Sequence, residues 1–208
     1  MKNEDRFNNS EFFGAKYNRN RNVGHYGKVA EVMQRHFSGK KMLEVGCGMG
    51  WITDILRKRG EDCIGFDISH EAISKRLNKD VFQADLLDYG KPENSREVVV
   101  CSNVMAYFEE SEVEAALTGI GNLFTENAVI SIQTEENIIR NFGSVDLARE
   151  NGRRCFKSWD WWLYQMNQVD LILDKEKHFE VSSDPEGLVT PDGTGRPVLF
   201  VLKHKEID

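Results

Sequence analysis

Short apolar runs alternate with amphipathic segments along the first two thirds of the chain. Five apolar runs predict strands, at residues 41–46, 63–68, 81–84, 97–101 and 128–132. Before and between them, apolar positions recur at helical spacing, over residues 26–37, 51–58, 70–78 and 110–124. Because strands and helices alternate in this way, we expect an α/β fold in which a parallel sheet carries helices on both faces.

The last third of the chain has a different pattern. Residues 159–167 predict a helix, and residues 169–179 and 197–204 predict two long strands with no helix between them. Such a pair favours an antiparallel hairpin at one edge of the sheet. The tryptophans Trp159, Trp161 and Trp162 fit either core packing or an aromatic wall of a binding pocket.

The turn between the first strand and the helix at 51–58 carries the most specific motif, Gly46-Cys47-Gly48-Met49-Gly50. Glycines permit positive φ and let a ligand approach the backbone at a helix N-terminus. Glu44 separates this turn from a phosphate-binding loop, because a carboxylate suits a cationic or hydroxyl-rich ligand. Trp51 stands where the dinucleotide-binding Gly-x-Gly-x-x-Gly pattern requires a third glycine. The turn therefore predicts a nucleotide-like ligand that is not a dinucleotide.

Polar side chains follow three other predicted strands. Asp67, Asp85 and Asn103 each stand at or just after a strand's carboxyl end. These ends meet at one edge of a parallel sheet, where ligands of such folds bind. A carboxylate at Asp67 can accept hydrogen bonds from both ribose hydroxyls. Its alternative role is to cap the next helix, but Ser69 is better placed for that.

The apolar strand, Glu44 and the three glycines resemble the first motif of the class I S-adenosylmethionine (SAM) dependent methyltransferases. The resemblance implies a Rossmann-like seven-stranded sheet of order 3-2-1-4-5-7-6, with helices on both faces and a C-terminal antiparallel hairpin. It implies SAM as methyl donor and S-adenosylhomocysteine (SAH) as product. It also implies a set of cofactor-binding residues: Glu44, Gly46, Cys47, Gly48, Gly50, Asp67, Ile68, Asp85, Leu86 and Asn103.

The sequence is less specific about the residues that bind the methyl acceptor than about those that bind the cofactor. A base is needed only if the acceptor loses a proton, as a hydroxyl or ammonium does. Tyr107 is the first candidate, because it replaces the histidine of a Leu-Glu-His triplet found in one small-molecule subgroup; packing against the cofactor is its alternative. His25 is the second candidate, because the N-terminal segment of related enzymes folds over the cofactor. Arg19 and Arg21 either hold an anionic acceptor or are simply solvated.

These residues predict an enzyme that methylates an oxygen or nitrogen of a small molecule. Two alternatives stay open: a non-catalytic SAM-binding module, and a protein or peptide methyltransferase. We expect one domain over residues 1–208, with a flexible segment or lid at 1–24, a SAM-binding core at 25–135, and a helix and hairpin at 136–208. The acceptor and the oligomeric state are not predicted.

The composition of the chain bears on its substrate class, its location in the cell and its metal content. The net charge of −7 disfavours a nucleic-acid substrate, which usually requires a broad basic face. No apolar run approaches the roughly 20 residues of a membrane span, and the N-terminus lacks a signal peptide's apolar core. Four cysteines without a Cys-x-x-Cys pair predict buried free thiols in the cytoplasm. No residue cluster has the spacing of a metal site, so we expect no metal.

Overall fold

The computed structural model describes residues 23–150, 152–183 and 198–206. The predicted lid lies outside them except for residues 23 and 24, and so do Arg19 and Arg21. Within these ranges the elements are α1 (Val23–Phe37), β1 (Met42–Val45), α2 (Trp51–Lys58), β2 (Cys63–Asp67), α3 (His70–Ser74), β3 (Val81–Gln83), α4 (Leu86–Tyr89), β4 (Arg96–Ser102), α5 (Val113–Asn122), β5 (Phe124–Ile132), α6 (Glu135–Phe142), α7 (Val145–Glu150), α8 (Trp159–Gln168), β6 (Leu171–Leu173), α9 (Lys175–Ser182) and β7 (Val198–His204). Short 3-10 turns lie at Pro92–Asn94, Met105–Tyr107 and Glu110–Glu112.

The strands form one mixed sheet in the order β3-β2-β1-β4-β5-β7-β6. Strands β1 to β5 are mutually parallel, and β7 pairs antiparallel with both β5 and β6. The predicted strand order and the antiparallel C-terminal pair are confirmed. The carboxyl ends of β1 to β5 consequently lie along one edge of the sheet, which we call the carboxyl edge.

Alternation along the central strands builds a separate core on each face. In β4, Val99 and Cys101 join the cluster that packs against α5 and α8, whereas Val98 and Val100 join the cluster against α1 and α2. Successive side chains of a strand point to opposite faces, so a continuous apolar run is what a strand buried on both faces requires. The two cores hold the sheet rigid and leave its carboxyl edge available for loops.

One long strand was wrongly predicted in the last third of the chain. Residues 169–179 contain only the three-residue strand β6, and α9 follows at once. The strand stops because Asp174 caps the new helix, its Oδ1 accepting a hydrogen bond from the Lys177 N–H at 3.1 Å. Asp174 Oδ2 also accepts from Asn127 Nδ2 at 3.2 Å. The antiparallel pairing was predicted correctly, but its connection contains a helix.

The predicted helix over 51–58 has those bounds, whereas the helix predicted over 70–78 ends at Ser74 and α1 begins at Val23, earlier than expected. Helices α6 and α7 had not been predicted. Thr134 begins α6 with a capping box, in which its side chain and that of Asn137 satisfy each other's backbone N–H groups.

The tryptophans of α8 belong to the core. Trp162 is fully buried, and the Trp159 ring stacks on Phe200 of β7 with centroids 4.0 Å apart. Trp161 meets Trp162 edge-on, with centroids 5.0 Å apart. Core packing therefore accounts for Trp162, whereas Trp159 and Trp161 are half-buried against the core and their role in a pocket wall stays a prediction. No helix in the described part of the chain is long and apolar enough to cross a membrane.

Candidate active site

The glycine turn between β1 and α2 adopts a backbone that requires glycine. Gly46, Gly48 and Gly50 have φ of 64°, 57° and 80°, all in the left-handed region. A Cβ on Gly46 would lie 2.4 Å from Val104 Cγ2, and one on Gly50 would lie 2.4 Å from Val81 Cγ2. The turn is thus pressed between the loop after β4 and the start of β3, with its amides at the N-terminus of α2.

Asp67, the last residue of β2, anchors this turn. Its Oδ2 accepts a hydrogen bond from the Gly48 N–H at 2.7 Å, and its Oδ1 accepts from the Ser69 N–H at 2.9 Å. Ser69 caps α3, its Oγ accepting from the Ala72 N–H at 3.2 Å, so the predicted capping role of Ser69 is confirmed, while the ribose contact of Asp67 stays a prediction. The Asp67 carboxylate is buried and holds the glycine turn against β2.

Glu44 is buried inside β1 and bonds to the first turn of α2. Its Oε2 accepts hydrogen bonds from the Thr53 N–H at 2.8 Å and the Thr53 hydroxyl at 2.6 Å. A carboxylate at a helix N-terminus is also favourable for the helix dipole. Glu44 therefore fixes where α2 begins relative to β1, and its predicted contact with the cofactor stays a prediction.

Cys47 sits between two of the glycines. Burial, together with the nearby Glu44 and Asp67 carboxylates, raises the pKa of its thiol well above the ordinary value. Burial likewise raises the pKa of Cys63 and of Cys101 to about 12. All four cysteines are buried and free, as predicted. The turn thus presents a neutral thiol, which is compatible with a ligand that carries its own positive charge.

The loop after β3 contains two further predicted residues. Asp85 is the N-cap of α4, its Oδ1 accepting from the Leu87 N–H at 3.0 Å. Leu86 is buried in the main core. After β2, Ile68 is half-buried and its carbonyl oxygen accepts from Gln83 Nε2 at 3.1 Å. Asp85 and Ile68 thus lie in loops at the carboxyl edge, whereas the Leu86 side chain packs into the core.

Asn103, directly after β4, has a strained backbone. Its φ is 59°, in the left-handed region that non-glycine residues rarely occupy. Its N–H donates to the Ser131 carbonyl oxygen at 2.9 Å. Its side-chain Oδ1 is buried with no hydrogen-bond partner in the described part of the chain. Strain and an unsatisfied buried oxygen are both costly, and they concentrate at ligand sites.

His25 lies in the first turns of α1 and contacts the end of β4. Its Nε2 is 3.3 Å from Asn103 Nδ2 and 3.5 Å from Ser102 Oγ. Ser102 Oγ in turn accepts from Ser131 Oγ at 3.1 Å. The structure therefore brings the predicted His25 and Asn103 together, in direct side-chain contact.

Two aromatic rings connect His25 to the glycine turn. The His25 ring meets Tyr26 edge-on at 5.7 Å, and Tyr26 stacks on Trp51 at 6.5 Å with the planes 9° apart. Trp51 is the first residue of α2, and its Nε1 is buried without a hydrogen-bond partner among the described residues. A row of contacts thus runs from the end of β1 to the end of β4, with an unsatisfied donor at one end and an unsatisfied acceptor at the other.

Tyr107 lies farther along the loop after β4, in a 3-10 turn. Its N–H donates to the Val104 carbonyl oxygen at 3.0 Å, and the Arg153 guanidinium carbon lies 5.5 Å from the centroid of its ring. Tyr107 and His25 share the carboxyl edge but contact different groups. Both remain candidates for a base: His25 is held by Ser102 and Asn103, and Tyr107 by Val104 and Arg153.

Most of the predicted residues lie in the turns that follow β1, β2, β3 and β4. Glu44 and Asp67 belong to β1 and β2 themselves, Leu86 begins α4, and His25 lies on α1. Sequence analysis missed the roles of Thr53, Trp51, Ser131 and Arg153. Trp51 alone had a usable signal, a large aromatic residue directly after the third glycine. Among the described residues, no group of three His, Cys, Asp or Glu side chains is arranged to hold a metal ion.

A family model described as a methyltransferase domain matches residues 17–172, well over half of the chain. The chain belongs to this methyltransferase family. The resemblance to class I SAM-dependent methyltransferases, and the expectation of an enzyme of that kind, are thereby confirmed. A comparison with curated proteins by sequence finds no match.

Solved structures of methyltransferases have the same fold at low sequence identity. A TehB-like SAM-dependent methyltransferase from Corynebacterium glutamicum is 21% identical, with a TM-score of 0.65 over 94% of this chain and 98% of that one. A Thermotoga maritima SAM-dependent methyltransferase, described as a possible histamine N-methyltransferase, is 16% identical, with a TM-score of 0.64 over 96% and 99%. Magnesium protoporphyrin IX methyltransferase from Synechocystis, with bound SAH, is 16% identical, with a TM-score of 0.62 over 83% and 89%.

Proposed function

We propose that this methyltransferase transfers the methyl group of SAM to an oxygen or nitrogen of a small molecule at the carboxyl edge of its sheet. The observation that carries the proposal is the pair of unsatisfied buried atoms, Trp51 Nε1 and Asn103 Oδ1, beside a glycine turn anchored by Asp67. Structural relatives support the acceptor class, since one is named for magnesium protoporphyrin IX and another is described as a possible histamine N-methyltransferase.

The residues present fit SAM. Its methionine end carries an ammonium, which needs an acceptor such as Asn103 Oδ1, and a carboxylate, which needs a donor such as Trp51 Nε1. Leaving a buried polar atom unsatisfied costs about 1–3 kcal/mol, so filling both sites favours binding. We assign the ribose hydroxyls to Asp67 and the adenine amino group to Asp85. When bound, SAM supplies a methyl group already activated by the sulfonium.

Of the two candidate bases, His25 is favoured. A neutral imidazole accepts a proton near pH 7, which makes histidine the most common general base. The bonds of His25 to the end of β4 hold its ring at the edge where the acceptor would enter. Tyr107 would then pack against the acceptor. The chain's contribution to the reaction is mainly positioning, which can supply about 7–11 kcal/mol of a barrier.

We also place the enzyme in the cytoplasm. Support comes from the four cysteines, all buried and unpaired, as is usual where thiols stay reduced. The net charge of −7 supports an acceptor that is not a nucleic acid.

Trp51→Phe is expected to weaken SAM and SAH binding about ten-fold, because it keeps the ring that stacks on Tyr26 and removes the N–H donor to a charged group. Isothermal titration calorimetry with SAH measures this. Trp162→Phe is the matched control, because Trp162 Nε1 is also buried and unsatisfied but lies in the core under α8. Equal affinity in wild type and Trp51→Phe would exclude Trp51 as a ligand of the cofactor.

The acceptor class is tested with SAM carrying a tritiated methyl group and an extract of the source cells divided by size. We expect label in the small-molecule fraction, and the signal should vanish with a Gly46→Val enzyme. Label confined to the protein fraction would point to a protein methyltransferase. Tight SAM binding with no SAH formed in any fraction would point to a non-catalytic module.

A further inference from the structure

Tyr26 is an aromatic residue near the start of α1 whose ring lies parallel to the indole of Trp51. The ring centroids are 6.5 Å apart and the planes differ by 9°. Offset parallel rings within about 7 Å of each other are a favourable arrangement of aromatic side chains. Because a ring packed beside the indole restricts how the indole plane can rotate, Tyr26 limits the directions in which Trp51 Nε1 can point.

The Tyr26 ring is itself held by its surroundings. It packs on the core cluster between α1, α2 and the sheet, which includes Val29 of α1 and Ile52 of α2. His25 also meets it edge-on, with centroids 5.7 Å apart, and His25 Nε2 lies 3.3 Å from Asn103 Nδ2. The ring therefore cannot shift without disturbing the interface of α1 with α2, so it is a fixed support for its neighbour.

The direction of the Trp51 N–H matters because this donor is buried and has no partner among the described residues. Trp51 is the first residue of α2 and follows Gly50 of the glycine turn directly, so its indole borders the turn. A hydrogen bond weakens steeply once the angle at its hydrogen falls below about 120°. The indole can therefore stabilise a carboxylate only while its plane is held in one orientation.

Resting on the proposed function, in which Trp51 Nε1 binds the carboxylate of SAM, we propose that Tyr26 is a positioning residue that makes the site selective for nucleosides carrying this carboxylate. Tyr26 acts through the indole and needs no contact of its own with the cofactor. The site should therefore distinguish SAH from S-adenosyl-3-thiopropylamine, the analogue that keeps the ammonium and lacks the carboxylate.

Calorimetric titration of the full chain with these two ligands and with 5′-methylthioadenosine, which lacks both charged groups, tests the proposal. The wild-type protein should bind SAH about ten-fold or more tightly than the thiopropylamine. Tyr26→Leu keeps apolar bulk without a flat ring and should reduce this carboxylate preference to about two-fold. Tyr26→Phe keeps the ring and should keep the preference. The affinity ratio of the thiopropylamine to 5′-methylthioadenosine reports on the ammonium and should be the same in all three proteins.

Ile55→Ala is the matched control, because Ile55 lies one turn after Trp51 on α2 and packs half-buried on the same core cluster as Tyr26. It should lower stability and keep the carboxylate preference. A Tyr26→Leu protein that keeps the preference, a Tyr26→Phe protein that loses it as fully, or an Ile55→Ala protein that also loses it would each overturn the inference.

These outcomes differ from a failure of the proposed function. If wild type and Trp51→Phe have the same preference, the carboxylate contact itself is wrong and the inference falls with it. If Trp51→Phe loses the preference and Tyr26→Leu keeps it, the contact stands and only the role of Tyr26 is overturned. Because the titrations need no turnover, they are also independent of whether the extract assay finds a methylated small molecule.

Discussion

Gly46→Val is expected to weaken SAM binding by at least about 100-fold, because two penalties fall on the same residue. Its φ of +64° lies in the region that a β-branched side chain avoids, and a Cβ there would lie 2.4 Å from Val104 Cγ2. Strain of this kind costs about 1–3 kcal/mol and overpacking about as much again. The turn cannot relax without pulling the Gly48 N–H away from Asp67, so the cofactor surface is lost with it. Calorimetry with SAH, together with urea unfolding, measures both effects.

Gly39→Val provides the matched control. Gly39 has a similar φ of +79°, but a Cβ there meets nothing within 4 Å, and it precedes β1 at the opposite end of the strand. It should lose about 1–2 kcal/mol of unfolding free energy and keep its SAH affinity. A double variant, Gly46→Ala with Val104→Ala, should recover part of the affinity lost by Gly46→Ala alone, because it removes the colliding methyl groups. Undiminished SAH binding by Gly46→Val would contradict the assignment of the glycine turn.

The fold was largely predictable because its central strands have an unambiguous pattern. Val98, Val99 and Val100 alternate between two cores, and only a strand covered on both faces can bury such a run. The pattern failed at residues 169–179, where an apolar stretch continues into Asp174 and a polar helix. In that stretch Asp174, the N-cap of α9, was the signal that the strand ends and a helix begins, and a prediction based on apolar content alone overlooked it.

The site was predictable to the extent that a backbone conformation required particular residues. The left-handed turn demands glycines, and the parallel sheet brings Asp67, Asp85 and Asn103 to one edge. Side-chain contacts between separate segments carry no such local signal. The Glu44–Thr53 bond joins β1 to α2 across nine residues, and the Arg153–Gln133 bond joins two loops across twenty. Both depend on how the finished fold brings these segments together. Such pairs had to be seen in three dimensions.

Asp67→Ala is expected to weaken SAM binding by about 100-fold or more, because it combines two losses. It removes the acceptor of the Gly48 and Ser69 N–H groups, which are bonded at 2.7 and 2.9 Å. It also removes the carboxylate that we assign to the ribose hydroxyls. Hydrogen bonds to a charged group contribute about 1.5–3 kcal/mol each, so the loss of two should lower the unfolding free energy by about 3–6 kcal/mol as well. Asp67→Asn should be intermediate, because its amide keeps one acceptor but turns NH₂ toward a donor.

Asp174→Ala is the control that separates a loss of stability from a loss of cofactor affinity. Asp174 also accepts from two N–H groups, at 3.1 and 3.2 Å, but it caps α9, which packs on β7 away from the glycine turn. It should lose stability comparably while binding SAH as wild type does. If Asp67→Ala followed the same course, with lower stability and unchanged SAH affinity, Asp67 would be an anchor of the turn alone. We expect instead that the binding free energy falls by more than the unfolding free energy. The bonds of Asp67 to the turn affect both quantities, whereas its bonds to the ribose hydroxyls affect binding alone.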